Sequence, residues 1–368
     1  MSATQQMPAM PAPGSVSEAQ TPPVPRRVSG RDVDEWFALA GSGVGSLALV
    51  WVLYENLLAL SGTLGFILCW YAAFLLTYAG VLSVAHPWTV VKDRVASSLF
   101  LSGAVVVGAG LLSTVVYTFV RGMAALVHIN FYTQDMAGVG PTAPLTQGGV
   151  LMAIAGTLIE IGIAIAISLP LGVATAVYMT EVRGRLSKVV RTVVEAMTAL
   201  PEILAGLFVY VVLIVRLGYP RTGFAAAVAI SVTMIPIIAR SSEVALRVVP
   251  GGLREASLAL GSSQWQTVRR VVLPTAKAGL ATALILGVAR GVGETAAVLI
   301  TSGASTYLNL NPFQDPMNSL PLFAFNAVRS GQDLYITRGF GAAAILLVLV
   351  LTLFVIMRLL ARGQVRSR

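Results

Sequence analysis

An all-α membrane protein of about eight transmembrane helices is what this sequence predicts, on three observations. Hydrophobic residues make up 56% of the 368-residue chain and charged residues only 11%, with a mean hydropathy of +0.80, too apolar for a surface that faces water. The apolar residues fall in separate runs of the roughly 20 residues that a helix needs to cross a bilayer core of about 30 Å. These runs are continuous, rich in Ala, Val, Leu and Gly and bounded by Arg and Lys, whereas a β-barrel would show short alternating segments.

The elements follow in order. Residues 1–40 are assigned to a disordered cytoplasmic tail: Met1 to about Arg31 is rich in Pro, Ser, Ala and Gln, builds no core, and lacks the apolar region and cleavage site of a signal peptide. Spans are predicted near Val44–Leu60, Leu64–Ala85, Leu99–Val120, Val150–Val177, Met197–Val215, Phe224–Ala239, Gly279–Ile300 and Phe340–Leu360. Only Ser61-Gly62-Thr63 divides the first two, which reads equally as a tight turn or a kink. Residues 41–98 are therefore read as two N-terminal helices, and 99–368 as the main transmembrane domain with a cytoplasmic loop at 249–275.

Charge orients the spans. If the N-terminus is cytoplasmic, most of the 25 Lys and Arg residues lie on the inner side, and only Arg121, Arg216, Arg221, Arg329 and Arg338 lie on the outer side. The positive-inside rule selects that arrangement, with both termini cytoplasmic and the long loops at Arg121–Gly149 and Thr301–Gly339 facing out. The net charge of +9 is spread between apolar runs, so membrane topology explains it and no nucleic-acid partner is expected. Cys69 is the only cysteine, which excludes a disulfide framework, and His86 and His128 sit at span ends without partner ligands at metal spacing.

Between the sixth and seventh spans, Val249 to Pro274 is amphipathic and too polar to enter lipid. Leu253, Ala256 and Leu260 recur at helical spacing, Gly261 permits a left-handed turn, and Trp265, Val268 and Val272 repeat the pattern before Pro274. Two short helices joined by a turn are predicted. With Glu255-Ala256-Ser257, Gly261 and Leu273-Pro274, the segment resembles the EAA loop of ABC importer permeases, departing only at the third position. The resemblance implies that the loop inserts into a cleft on an ATPase subunit, with Glu255, Ala256, Gly261, Leu273 and Pro274 as coupling residues. A basic interfacial helix held by Arg254, Arg269 and Arg270 is the alternative. The chain has no Gly-x-x-x-x-Gly-Lys-Ser/Thr phosphate cradle, so ATP and Mg are expected on a partner and no catalytic residue or cofactor on this chain.

Ala289-Arg290-Gly291-Val292-Gly293-Glu294-Thr295-Ala296 falls in the middle of the seventh span, where an arginine costs about 2.5–3.5 kcal/mol on insertion scales. Glu294 lies four residues on, on the same face of a continuous helix, and is expected to pair with Arg290, while Gly291 and Gly293 allow a helix or an oxyanion to approach. The residues alone leave a structural ion pair and an anion site open. The motif resembles the signature of the phosphate-specific, PstA-type permeases, as does Ile235-Pro236-Ile237-Ile238-Ala239-Arg240-Ser241-Ser242-Glu243. That resemblance implicates Arg240, Glu243 and Arg290 in transport, and Glu294 is grouped with them along a substrate pathway.

Further likeness runs through Leu169-Pro170-Leu171-Gly172, Tyr178-Met179-Thr180-Glu181, Ala199 to Gly206 and Ser319 to Asn326, so it covers about Leu99 to the C-terminus. It implies a six-helix type I importer core in a bacterial cytoplasmic membrane. The partners it implies are ABC ATPase subunits, a second, PstC-like permease and an extracytoplasmic phosphate-binding protein. Glu202 stands where these permeases usually have a small polar residue, and Glu160 and Glu202 are assigned by default to subunit packing. Sulfate, molybdate or phosphonate as cargo is a second reading, and an enzyme acting on lipid phosphates a third, although no nucleophile and base sit at one depth.

Overall fold

A computed structural model describes residues 33–57, 62–182 and 184–363; the tail predicted for Met1–Arg31 lies outside the described residues. Two compact units divide inside one long helix, between Ala109 and Gly110.

The first unit opens with α1 (Val33–Trp51), which begins earlier than the 1–40 tail allowed and runs on as π-helical turns over Val52–Leu57. It is followed by α2 (Thr63–Ala85) and the first part of α3 (Trp88–Leu126). Trp70 on α2 donates its indole N–H to the Gly43 carbonyl of α1 at 3.1 Å, so the two helices lie side by side; most of the connection between them lies outside the described residues. Tyr78, Leu82 and Val91 form the buried cluster. Pro87 ends α2, because a residue before proline is pushed out of the helical region, and His86 is extended at φ −131°, ψ 149°.

The second unit holds the remaining elements. A single turn, α4 (Asn130–Thr133), precedes α5 (Leu151–Glu181), α6 (Arg185–Thr198) and α7 (Glu202–Val209), which continues as π-helix to Arg216. Then come α8 (Gly223–Arg247), α9 (Gly251–Ala259), α10 (Gln264–Thr267), a π-helical segment Val268–Val272 and α11 (Leu273–Thr275). The chain closes with α12 (Lys277–Val292), α13 (Ala296–Thr301), α14 (Leu320–Arg329) and α15 (Asp333–Gly363).

Among the described residues six helices are long and apolar enough to cross a membrane, or up to eight if each of two bent pairs is one span: Arg185–Thr198 with Glu202–Arg216 at 106°, and Gln264–Thr275 with Lys277–Val292 at 74°. The eight predicted spans correspond to these six helices and two bent pairs. In the most apolar stretch of α8, 61% of residues are buried, against none in α3, so α8 is the axis of the core and α3 presents its sides outward.

Small residues let the helices close on α8. A Cβ on Gly287 or Gly291 would stand 2.5 Å from Ile238 or Met234, and one on Gly172 of α5 would stand 2.7 Å from Ile238. Without aqueous solvent to drive helices together, such close backbone approach supplies the packing. Ile161, Ala164, Ile230, Met234, Ile238, Val288 and Val292 fill the centre.

At the end opposite α9, the two long loops are knit to each other. The Leu308 N–H donates to Asp135 Oδ2 at 2.9 Å, and the Met136 N–H to the Thr306 carbonyl at 2.9 Å. Arg338 is fully buried and donates to the carbonyls of Ala143, Pro144 and Gln147 at 2.8–3.1 Å. Within the stretch read as an outward loop, α14 is a buried helix, with Leu320, Leu322 and Phe323 all at most 1% exposed. Its apolar run of ten residues is too short to register as a span.

Candidate functional site

Arg290 sits in the last turn of α12 and Glu202 in the first turn of α7, and the two form an ion pair. Each charge suits its helix end, a cation at the C-terminus and an anion at the N-terminus. Their side chains are 37% and 39% exposed, and both line a cavity of about 110 Å³. Its wall includes Thr198, Val232, Thr233 and Pro236. Pro236 has no N–H to offer the Val232 carbonyl four residues back, which leaves polar backbone at the cavity.

The expected Arg290–Glu294 pair is not formed. Helix α12 stops at Val292, Gly293 turns the chain, and Glu294 loses the phase that would set it beside Arg290. Glu294 is 1% exposed, and its Oε1 accepts from the Ala297 N–H at 3.1 Å, capping the short α13. The glycines also divide their roles: Gly291 receives Met234, while nothing lies within 4 Å of a Cβ on Gly293.

Glu202, assigned by default to subunit packing, is within this chain the partner of the membrane arginine. Glu160 likewise faces inward, 1% exposed on α5, where Ser302 Oγ donates to it at 3.1 Å. Helix α7, which carries Glu202, is set tightly against α13, since a Cβ on Gly206 would lie 2.5 Å from Ala297 Cα.

Toward the opposite end of α8, Arg240 Nη1 meets Glu243 Oε2 at 2.8 Å. Three further residues join them. Arg247 Nη2 reaches Glu243 Oε1 at 2.7 Å, Arg191 of α6 pairs with the same carboxylate, and Arg240 Nη2 reaches Glu195 Oε1 at 3.2 Å. Glu243 is 3% exposed, so its burial rests on these three guanidiniums.

The loop between α8 and α12 forms the predicted pair of short helices. Gly261 takes φ +82° at their junction, and Ser263 and Gln266 make a capping box at the start of α10. Arg254 Nη2 pairs with Glu181 Oε1 at 3.1 Å, and Gln264 Nε2 donates to the Glu181 carbonyl at 2.7 Å, which ties the loop to the end of α5. Glu255, Ala256, Gly261 and Pro274 are exposed and Leu273 is half-buried. The apolar periodicity divides in two: Val268 and Val272 pack inward, whereas Leu260 and Trp265 are 88% and 65% exposed.

Sequence reasoning had assigned no role to Glu202, Arg191, Glu195, Arg247 or Glu181 at these sites. A glutamate after proline at a helix start is an ordinary capping signal, and arginines at the basic end of a span are ordinary anchors, so local pattern distinguishes none of them.

The chain is similar in sequence to known proteins over most of its length. Residues 168–366 match the family described as binding-protein-dependent transport system inner membrane component. A Mycobacterium tuberculosis protein described as phosphate transport system permease protein PstA 1 is 38% identical over 264 residues, 72% of this chain and 86% of that protein. A Haemophilus influenzae phosphate transport system permease protein PstA is 32% identical over 70% of this chain and 89% of that one. Among solved structures, a chain of the inward-facing MetNI methionine ABC transporter aligns with 59% of this chain and 94% of its own, at 26% identity and a TM-score of 0.47. This chain belongs to the family of binding-protein-dependent transport system inner membrane components, within its PstA-type branch.

Proposed function

We propose that this chain is one of two permease subunits of an ATP-driven importer of inorganic phosphate, and that the anion meets protein charge inside the membrane at Arg290. One observation carries the reading: an arginine at the broken point of a span, held by a carboxylate from another helix beside a cavity. The relatives named as phosphate transport permeases support the cargo.

A guanidinium presents a fork of N–H donors that matches the oxygens of phosphate. With no anion present, Glu202 neutralises Arg290; an arriving phosphate competes with that carboxylate, so it is bound without being trapped, as passage requires. Arg240 and Glu243, which the resemblance implicates in transport, lie farther along α8 at a separate cavity. Glu294 acts at one remove, by holding α13 in place.

The positive-inside distribution of charge supports a bacterial cytoplasmic membrane location with both termini and the α9–α11 loop in the cytoplasm. There the exposed Glu255, Ala256, Gly261 and Pro274, with Leu273 behind them, meet an ABC ATPase that binds ATP and Mg. Because Arg254 and Gln264 fasten the loop to Glu181, a push on the loop is delivered to the ends of α5 and α8. A second, PstC-like permease supplies the other half of the pathway, and an extracytoplasmic phosphate-binding protein delivers the anion at the knitted outer loops.

The test is ATP-dependent uptake of labelled phosphate by the reconstituted complex. Arg290→Gln abolishes uptake while the subunits still co-purify; undiminished uptake would make Arg290 a structural residue only. Competition by sulfate, molybdate and a phosphonate checks the cargo.

A further inference from the structure

Glu243 is one buried carboxylate facing three guanidiniums, from Arg191 on α6 and from Arg240 and Arg247 on α8. Glu195 adds a second negative charge through Arg240, but it is 51% exposed and solvent screens it. The cluster therefore has more cationic than anionic groups. A separate cavity of about 280 Å³ opens here, lined by Arg191, Arg240, Ser241, Glu243, Val244 and Arg247. Neither Arg290 nor Glu202 lines it.

Donors remain available. Arg191 spends its two terminal nitrogens on Glu243 and the Met179 carbonyl, whereas Arg247 has one terminal nitrogen on Glu243 and is 58% exposed. A tetrahedral oxyanion fits this arrangement because its several oxygens accept from guanidiniums of different helices at once, which one carboxylate does less completely. We propose that Arg191, Arg240 and Arg247 form a second oxyanion site at the coupling-loop end of the bundle, taking inorganic phosphate from the adjoining aqueous compartment. The choice of phosphate as ligand rests on the function proposed above; the site itself rests on the cluster and its cavity.

The position gives such an anion leverage. Past Thr198 the chain of α6 bends by 106° into α7, which bears Glu202, and α8 runs on from Arg247 through Pro250 into the coupling loop. An anion shared between Arg191 and Arg247 ties these two helices together, where the pathway meets the loop.

The experiment is titration of the assembled complex, without ATP, with inorganic phosphate, read by broadening of the free-phosphate 31P NMR signal. The affinity read this way should survive Arg290→Gln and fall about a hundredfold in Arg191→Gln/Arg247→Gln, the loss expected from two charge-assisted contacts of about tenfold each. It should rise in Glu243→Gln, because the internal competitor has lost its charge; a misfolded variant cannot bind more tightly. Broadening that Arg290→Gln alone removes, or weaker binding in Glu243→Gln, overturns the proposal. Intact ATP-driven uptake with no effect of Arg191→Gln/Arg247→Gln on binding overturns it too and leaves phosphate as the cargo. Tighter binding in Glu243→Gln with no ATP-driven uptake in the wild type supports the site and overturns the cargo instead.

Discussion

Arg290 and Glu202 join the ends of two different helices, the last turn of α12 and the first turn of α7, and in doing so neutralise a charge placed at a break in a membrane span. Neither helix end would hold its partner without the bends that bring them together. The pair ties pathway chemistry to the integrity of the bundle, so substitutions on its two sides have different consequences.

Glu202→Gln leaves Arg290 without its counter-ion. An unpaired arginine in the membrane costs about 2.5–3.5 kcal/mol on insertion scales, and a loss of that order should appear in the thermal denaturation of the detergent-solubilised complex. Phosphate is also held more firmly once its competitor is gone, so turnover falls even where assembly survives. A melting curve identical to wild type would show that Glu202 carries none of the burden.

Glu294 separates positioning from passage. Glu294→Gln keeps an acceptor for the Ala297 N–H and should retain most uptake, whereas Glu294→Ala removes the cap, at a cost of about 0.5–2 kcal/mol. Thermal inactivation of transport measures the difference. If Glu294→Gln is as inactive as Arg290→Gln, the carboxylate itself takes part in passage.

Gly287 tests the contact of α12 with α8. Its Cβ would stand 2.5 Å from Ile238 Cγ1, so Gly287→Val forces the helices apart at a cost of about 1–3 kcal/mol. The expected result is a lower yield of assembled complex. Gly293→Ala, with nothing within 4 Å of its Cβ, serves as the control and should assemble normally.

Gly261 tests the lever. At φ +82° a β-branched residue is strained by about 1–2 kcal/mol, so Gly261→Val misplaces α9 against α10 while the membrane helices keep their packing. ATP hydrolysis by the complex should persist as uptake falls, or the ATPase should no longer co-purify; full coupling in this variant would rule out the turn as the point where force enters.

The all-helical membrane class, the apolar runs that become the long helices and the helix-turn-helix between the sixth and seventh predicted spans were legible in the chain. Each depends on neighbours within a few residues: apolar run length, charge at the ends of runs, and a glycine between two short amphipathic stretches. The partner of Arg290 was not. A continuous helix would set Glu294 beside it, but the bend at Gly293 turns that side chain into a cap, and the role passes to Glu202, 88 positions earlier. Arg191 and Arg247 read as anchors at the basic end of the spans, and only the packing of α6 against α8 gathers them on Glu243. Buried α14 inside an apparent loop has the same origin. Solvent preference is written residue by residue, whereas the charge that neutralises a buried arginine depends on where helices break and which ends they bring together.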